Sequence, residues 1–414
     1  MKKYVVFTLC FLLVTACKQN GGTKSLQKNE VIDSLTAEIT EISKNGVFNG
    51  FAVSIVNEDS ILYQKGFGFS DVSAQKKYTS STIQNIASIS KTLVGIALLK
   101  AQELGKLNLD DPINKFLPFK IYNPTFPDEQ ITIRHLATHT SGIVDNEFYL
   151  SKNYYLKPKQ NLSGLALTFD ETQVFNSPDS IVSMETLLRN TLLKNGKWLT
   201  KETYSEKQPG ERYEYSNIGT TLAAFVLEKA TGERFDNFTQ KHILIPLKMS
   251  ASGWKFNQIN FTDYSKLYEN PKTQIPFYAT VSYPDGNLIT SVNDLSLYLC
   301  ELIKGYNGKG TILSKKSYKE FFRPQLSAKN FIDRNNQNPY NESYNVGIFI
   351  GFGCTGYIGH TGGDPGVASM LFFDPKTNIG RILIVNTSFS DKKGNDTFYG
   401  MWDKLEKYQN RIQH

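Results

Sequence analysis

The 414-residue sequence predicts an α+β fold: an antiparallel sheet flanked by helices, with a mostly helical lobe inserted between its strands. Two observations predict it. Runs with period-two alternation cluster near both ends of the chain, whereas the long middle is dominated by apolar residues at helical spacing. Strands that belong together are thus interrupted by a helical block. This sets an α/β lobe of about residues 31–83 and 280–414 against a helical lobe of about 84–279. A cleft between two such lobes is the natural place for a site.

The first residues stand outside that fold. "MKKYVVFTLCFLLVTAC" has a basic start, an apolar run and a small residue before Cys17, the layout of a secretory signal over residues 1–16. Its apolar run is too short to prefer a spanning helix. The ending VTAC also resembles the bacterial lipobox, in which the cysteine after the cut becomes the lipidated first residue; the alternative is an ordinary signal cut nearby, with Cys17 a bystander. The lipobox reading makes Cys17 the lipidation site and residues 17–30 a polar tether. It expects an exported lipoprotein anchored to a membrane and facing the periplasm or cell surface, with the lipid membrane as a partner.

From Val31 onward the periods can be followed in order. Val31, Leu35, Ile39 and Ile42 recur at helical spacing and Asn45-Gly46 closes the run. "GFAVSIV" and "ILYQKGFGF" flank "NEDS" as a hairpin, and "ASMLFFD" and "RILIVNT" flank "PKTNIG" as a second. "TTLAAFVLEKATG" and "SVNDLSLYLCELIKG" read as helices, and Phe398, Met401, Trp402, Leu405 and Tyr408 make an apolar stripe on a last one. Residues 143–208 are polar, tyrosine-rich and weakly periodic, which suggests a lid or a variable insertion. The formal charge of +7 is spread along the chain with no basic block interleaved with aromatics, so nucleic acid is not an expected partner. Of the four cysteines, Cys10 goes with the signal and Cys17 is the lipid candidate, which leaves Cys300 and Cys354 as one pair that spacing alone does not establish. No CxxC or Cys/His cluster offers a metal site.

Three short stretches can carry chemistry. "QNIASISKTLVGIALLKAQ" puts Ser88 and Lys91 one helical turn apart at the head of an apolar helix. The partial positive charge of a helix N-terminus favours a serine alkoxide there, and desolvation would lower the lysine pKa and free its amine as a proton acceptor. The plainer reading is an N-cap serine and a snorkelling lysine. SxxK also occurs at Ser25, Ser73, Ser252 and Ser390, but only Ser88 opens a long apolar helix. "PGERYEYSNIGTTLAAFVLEKATG" sets Tyr215 beside Asn217, where a phenol can move a proton and a carboxamide can donate to and accept from a substrate amide. A packed tyrosine and a capping asparagine would look the same. "YIGHTGGDPGVASMLFFDP" places His360, Thr361, Gly362 and Gly363 just before a strand, where glycines let a ligand approach backbone N–H groups; an incidental histidine in a glycine turn is the alternative. His135 and His139 are four apart, yet Leu136 stands where a zinc-protease HExxH motif has glutamate, so a metal is not expected.

The order SISK, YSN, HTG resembles the serine beta-lactamase and penicillin-binding protein family, most closely the class C beta-lactamase-related branch that also holds esterases and D-amino-acid peptidases. "LGKLNLDDPINKFLP", "ITIRHLATHTSGI", "PLKMSASGW" and "YPDGNLITSVNDLSLYL" add to the likeness, which covers roughly residues 46–390. The resemblance implies a beta-lactamase/transpeptidase-like fold and a serine hydrolase working through an acyl-enzyme without a cofactor. Ser88 would be the nucleophile, Lys91 its activating partner and Tyr215 a sharer of the proton. Asn217, His360, Thr361 and Gly362 would bind substrate, and the N–H groups of Ser88 and Gly363 would form the oxyanion hole. His360 departs from the lysine that many relatives carry, which favours an esterase or peptidase acting on a small ester, amide or D-amino-acid peptide. The alternatives are a beta-lactamase, a D-Ala-D-Ala carboxypeptidase, or a non-catalytic cell-envelope binding lipoprotein. Oligomeric state is left open.

Overall fold

The computed structural model describes residues 20–169, 173–331, 344–353 and 356–413. The signal segment, Cys17 and Cys354 lie outside the described residues. The N-terminal helix α1 (Asn20–Ser43) leads into β1 (Gly50–Val56), β2 (Ile61–Asp71) and β3 (Lys76–Lys77). After the helical middle come β4 (Asn345–Val346), β5 (Gly351–Phe352), β6 (Ile358–Asp364), β7 (Val367–Asp374) and β8 (Ile379–Val385). Among the described residues these form one eight-stranded sheet in the order β4-β5-β6-β7-β8-β1-β2-β3, and every pairing is antiparallel. The expected α+β architecture and both expected hairpins are present. β1 joins the two ends of the chain, with Phe51 opposite Val385 and Val56 opposite Gly380.

All seven residues of β1 are buried, so both faces of the sheet are covered. Ala52, Ile382 and Ile384 point into the large core shared with the helical middle, while Phe51, Val53, Leu383 and Val385 point the other way. That second face receives Leu35 and Ile39 of α1 and Phe398, Met401, Trp402 and Leu405 of the last helix, Lys392–Gln413. The apolar stripes read from the sequence are the buried stripes. α1 begins at Asn20, however, inside the segment read as a tether; Lys24, Leu26, Gln27 and Lys28 are sound helix formers and no proline stops them.

The helical middle is organised by α2 (Ser90–Glu103) and α3 (Asn217–Thr231), both apolar nearly all round and therefore interior helices. Gly95 of α2 is required there, because a Cβ would sit 2.1 Å from the Ile348 carbonyl oxygen. Much of the stretch 143–208 is packed into the protein. Ile143, Tyr149, Tyr155, Leu187, Leu188 and Leu192 belong to the main core, and Tyr154–Leu156 pairs with Tyr278–Thr280. Helix α4 (Val292–Tyr306), capped by Ser291, buries Cys300 as a free thiol, and burial pushes that thiol up to about 11. No helix among the described residues is long and apolar enough to cross a membrane.

Candidate active site

Ser88 sits in a 3₁₀ turn, Ala87–Ile89, that feeds directly into α2. Ala87 has a φ of 49°, a strained value for a residue with a side chain, and it turns the Ser88 hydroxyl out of the buried helix. Ser88 is half-buried, whereas Ser90 is fully buried and accepts the Leu288 N–H at 3.1 Å. Only one of the two serines therefore faces the cleft.

Lys91 is completely buried and donates to Ser88 Oγ at 2.9 Å and to the Asp285 carbonyl at 2.6 Å. The sequence suggested that desolvation would lower its pKa. Burial does push it down, but Tyr215 and the Asp285 and Asp145 carboxylates outweigh burial and hold the ammonium above its ordinary value. The Lys91 nitrogen lies 5.1 Å from the centre of the Tyr215 ring, and that ring stacks on His139 at 4.6 Å. Buried against Lys91 and His360, His139 is kept well below the ordinary imidazole range and so stays neutral. Its Nδ1 accepts the Ser216 N–H at 3.2 Å, and His135 Nδ1 accepts the Thr132 N–H at 3.3 Å. Both histidines thus hold backbone.

Asn217 opens α3, but its side chain is less free than its sequence position suggested. Its Nδ2 donates to Asp145 Oδ2 at 2.7 Å, and Asp145 also takes the backbone N–H groups of Asn217 and Ile218 at 3.1 and 2.8 Å. One of the two Nδ2 hydrogens is thereby committed, so Asn217 is oriented by Asp145 and keeps Oδ1 and one N–H to offer a substrate. Asp285 is buried on the other side of Lys91, where Thr221 donates to it at 2.9 Å and the Tyr149 hydroxyl also donates. Burial raises the pKa of both carboxylates.

Strand β6 closes the site. A Cβ on Gly362 would sit 2.4 Å from the Ile86 carbonyl and 3.0 Å from Ser88 N, so only glycine lets the strand approach the nucleophile turn this closely. Gly363 faces open space, with nothing within 4 Å of an added Cβ. Thr361 is exposed and His360 half-buried, with its Nδ1 donating to the Thr361 carbonyl; the neutral ring therefore presents an unprotonated Nε2. Burial and the Lys91 charge push His360 down to about 4. A cavity of about 490 Å³ opens here, walled by Tyr213, Tyr215, His360 and Phe372 and reaching Ser88; among the described residues no lysine or arginine lines it.

The structure thus brings together Ser88, Lys91, Tyr215, Asn217 and the His360–Gly363 run, as the motif order implied. It adds three carboxylates that the motifs do not mark: Asp145, Asp285 and Asp364. The signal was present, since each lies inside or just beyond a stretch quoted above, in "HTSGIVD", "YPDG" and "HTGGD". That Asp285 is buried and Asp145 and Asp364 half-buried near Lys91 was not readable from spacing. Among the described residues no group of three His, Cys, Asp or Glu side chains could hold a metal ion.

The Beta-lactamase family model matches residues 35–406. Protein flp of Staphylococcus aureus (strain MW2) is 25% identical over 354 residues, which cover 83% of this chain and 60% of that protein. The chain thus spans about 60% of the length of that curated relative. The octameric penicillin-binding protein homologue from Pyrococcus abyssi superposes with a TM-score of 0.69 at 24% identity, covering 92% of this chain and 77% of the other. D-amino acid amidase from Ochrobactrum anthropi SV3 gives 0.65 at 17% identity, covering 93% and 98%. At such identities the two structures speak for the fold. With one family model running from α1 through the nucleophile turn, β6 and the closing strand into the last helix, the chain belongs to the Beta-lactamase family, a family of serine hydrolases.

Proposed function

We propose that this protein is an exported, lipid-anchored serine hydrolase that is acylated on Ser88 and releases the acyl group to water. The observation that carries the reading is the buried Lys91 ammonium donating to Ser88 Oγ at 2.9 Å at the foot of an open cleft. Ser88 Oγ attacks the substrate carbonyl in the form of the site where Lys91 is an ammonium and Tyr215 has given up its phenolic proton, so the serine proton passes to the Tyr215 oxygen. The N–H groups of Ser88 and Gly363 receive the oxyanion. The pair then protonates the leaving oxygen or nitrogen as its bond to carbon breaks, and water repeats the attack on the acyl-enzyme to free a carboxylic acid.

The substrate class we favour is a small ester, amide or D-amino-acid peptide. Where many relatives carry a lysine this site carries the neutral His360, which offers a substrate carboxylate no fixed charge and argues against efficient turnover of penicillins. The likeness to a D-amino acid amidase supports the same choice. To test the reading, the full chain is treated with a fluorophosphonate and its intact mass measured. One adduct is expected on wild type and none on Ser88→Ala, while Lys91→Ala and Tyr215→Phe should slow ester hydrolysis by roughly 100- to 10,000-fold. An adduct that persists on Ser88→Ala overturns the assignment, and a folded wild type that takes no adduct points to a binding lipoprotein.

A further inference from the structure

We propose that Asp364 forms an ammonium-recognising subsite on the acyl side of Ser88, so that preferred substrates carry a charged amine on the part that stays bonded to the enzyme. The proposal rests on the acyl-enzyme reading above and names its substrate class.

The geometry of β6 carries it. In a strand, alternate side chains share a face, so His360, Gly362 and Asp364 point the same way. The face is fixed by Gly362, which meets Ser88 N and the Ile86 carbonyl. His360 therefore lies two residues to one side of the nucleophile turn and Asp364 two residues to the other. Tyr215 and the open cavity are on the His360 side. A leaving group has to take its proton from the Lys91–Tyr215 pair, so it occupies that cavity. The retained acyl part then extends toward Asp364.

What it meets there is a half-satisfied carboxylate. Asp364 Oδ1 accepts the Tyr154 hydroxyl at 2.6 Å, while Oδ2 takes no hydrogen bond from the described residues. Gly286 keeps space open beside it: a Cβ there would stand 3.6 Å from Asp364 Oδ2 and 3.9 Å from the Ala87 carbonyl carbon, between the carboxylate and the nucleophile turn. The Tyr154 and Tyr278 rings, 5.5 Å apart and both buried, back the carboxylate and hold it in place. The titratable groups that face Asp364 are Tyr154, Tyr264, Tyr278, Asp285 and Lys91. Lys91 already serves Ser88 and the Asp285 carbonyl. Burial, against the Tyr154 hydrogen bond and with help from the Asp285 charge, pushes Asp364 up to about 7. An incoming ammonium would supply the missing counter-charge and draw the proton off.

The test uses full-length protein at pH 7.5 and three esters with one neutral leaving group, whose acyl halves are a D-2-aminoacyl group, its N-acetyl form and its des-amino form. Wild type should favour the free amine by at least tenfold in kcat/KM over both others, and Asp364→Asn should cut that ratio at least tenfold. A wild-type ratio near one, or a ratio that Asp364→Asn leaves unchanged, overturns the proposal. If Asp364→Asn fails to fold, the wild-type ratios decide alone. If no ester is hydrolysed, the acyl-enzyme reading falls, and calorimetric binding of the amine and des-amino amides to Ser88→Ala protein still decides the subsite: equal affinities overturn it.

Discussion

Lys91 keeps its proton because Tyr215 and two carboxylates outweigh its burial, and His360 stays neutral because burial and the Lys91 charge it faces both disfavour its cation. These two states set the pH behaviour of the site. With His360 titrating at about 4, hydrolysis of a neutral ester should show no step from this imidazole between pH 6 and 8. His360→Lys should raise kcat/KM for an ester carrying a carboxylate on its leaving group at least tenfold relative to a matched neutral ester. Equal ratios in both proteins would mean that the side chain does not face the leaving group. Asp364 has the opposite sign. Its ordinary value is 3.8 and burial lifts it to about 7, so between these values the folded state holds a proton that the unfolded state has released. Its contribution to stability is complete below the lower value and is lost as pH rises through the upper one. Asparagine cannot ionise, so the melting temperature of Asp364→Asn should gain on wild type as pH goes from 4 to 8. A constant gap would show that the carboxylate ionises normally. The motif residues were legible because SISK, YSN and HTG pair residue types whose chemistry is tied to their spacing. The aspartates were not, since what distinguishes them is the burial that tertiary structure imposes.

Elements place these residues through close approaches that single atoms can spoil. Gly362→Ala would drive a Cβ to 2.4 Å from the Ile86 carbonyl, so β6 has to move away from the nucleophile turn. We expect at least a tenfold loss of kcat with the far-ultraviolet spectrum preserved; a wild-type kcat would show that the strand tolerates the shift. On the opposite face of the sheet, Leu35 of α1 is fully buried, and Leu35→Ala should cost about 2–5 kcal/mol, read as a lower denaturant midpoint. Glu38 of the same helix is held at about 2 by hydrogen bonds from Lys404, Lys407 and Tyr408, which tie α1 to the last helix. Helices and hairpins were readable where one period runs long enough, as in α1 and β1. Residues 143–208 were not, because Tyr149, Tyr154 and Leu187 lie on separate short elements, each too brief to show a period.

At the scale of the whole molecule, the likeness of the chain's two ends was the most legible feature, since period-two runs near both termini can only share a sheet if the middle is set aside. The face of the sheet that carries α1 is not the face that packs against the nucleophile turn. A tether leaving α1 would thus hold the protein by its back. If Cys17 carries acyl chains, wild type should sediment with membranes and Cys17→Ser should become soluble after cell fractionation. Equal retention of both forms would remove the lipid reading while leaving the site untouched.

The closure of the sheet also governs how the protein can be made. Gly50 N–H donates to the Asn386 side chain, a partner 336 residues further along, and β1 gains its second neighbour only when β8 arrives. A ribosome or an export channel that delivers the chain from its N-terminus has to release the intervening stretch, a separation of 336 residues, before that partner exists. Until then β1 is an apolar strand with one bare edge, the kind of surface that pairs with a neighbouring molecule. A chain stopped after Asp374 should therefore collect in the insoluble fraction even though its nucleophile turn, α2 and α3 are intact, and synthesis rate near the C-terminus becomes a determinant of yield.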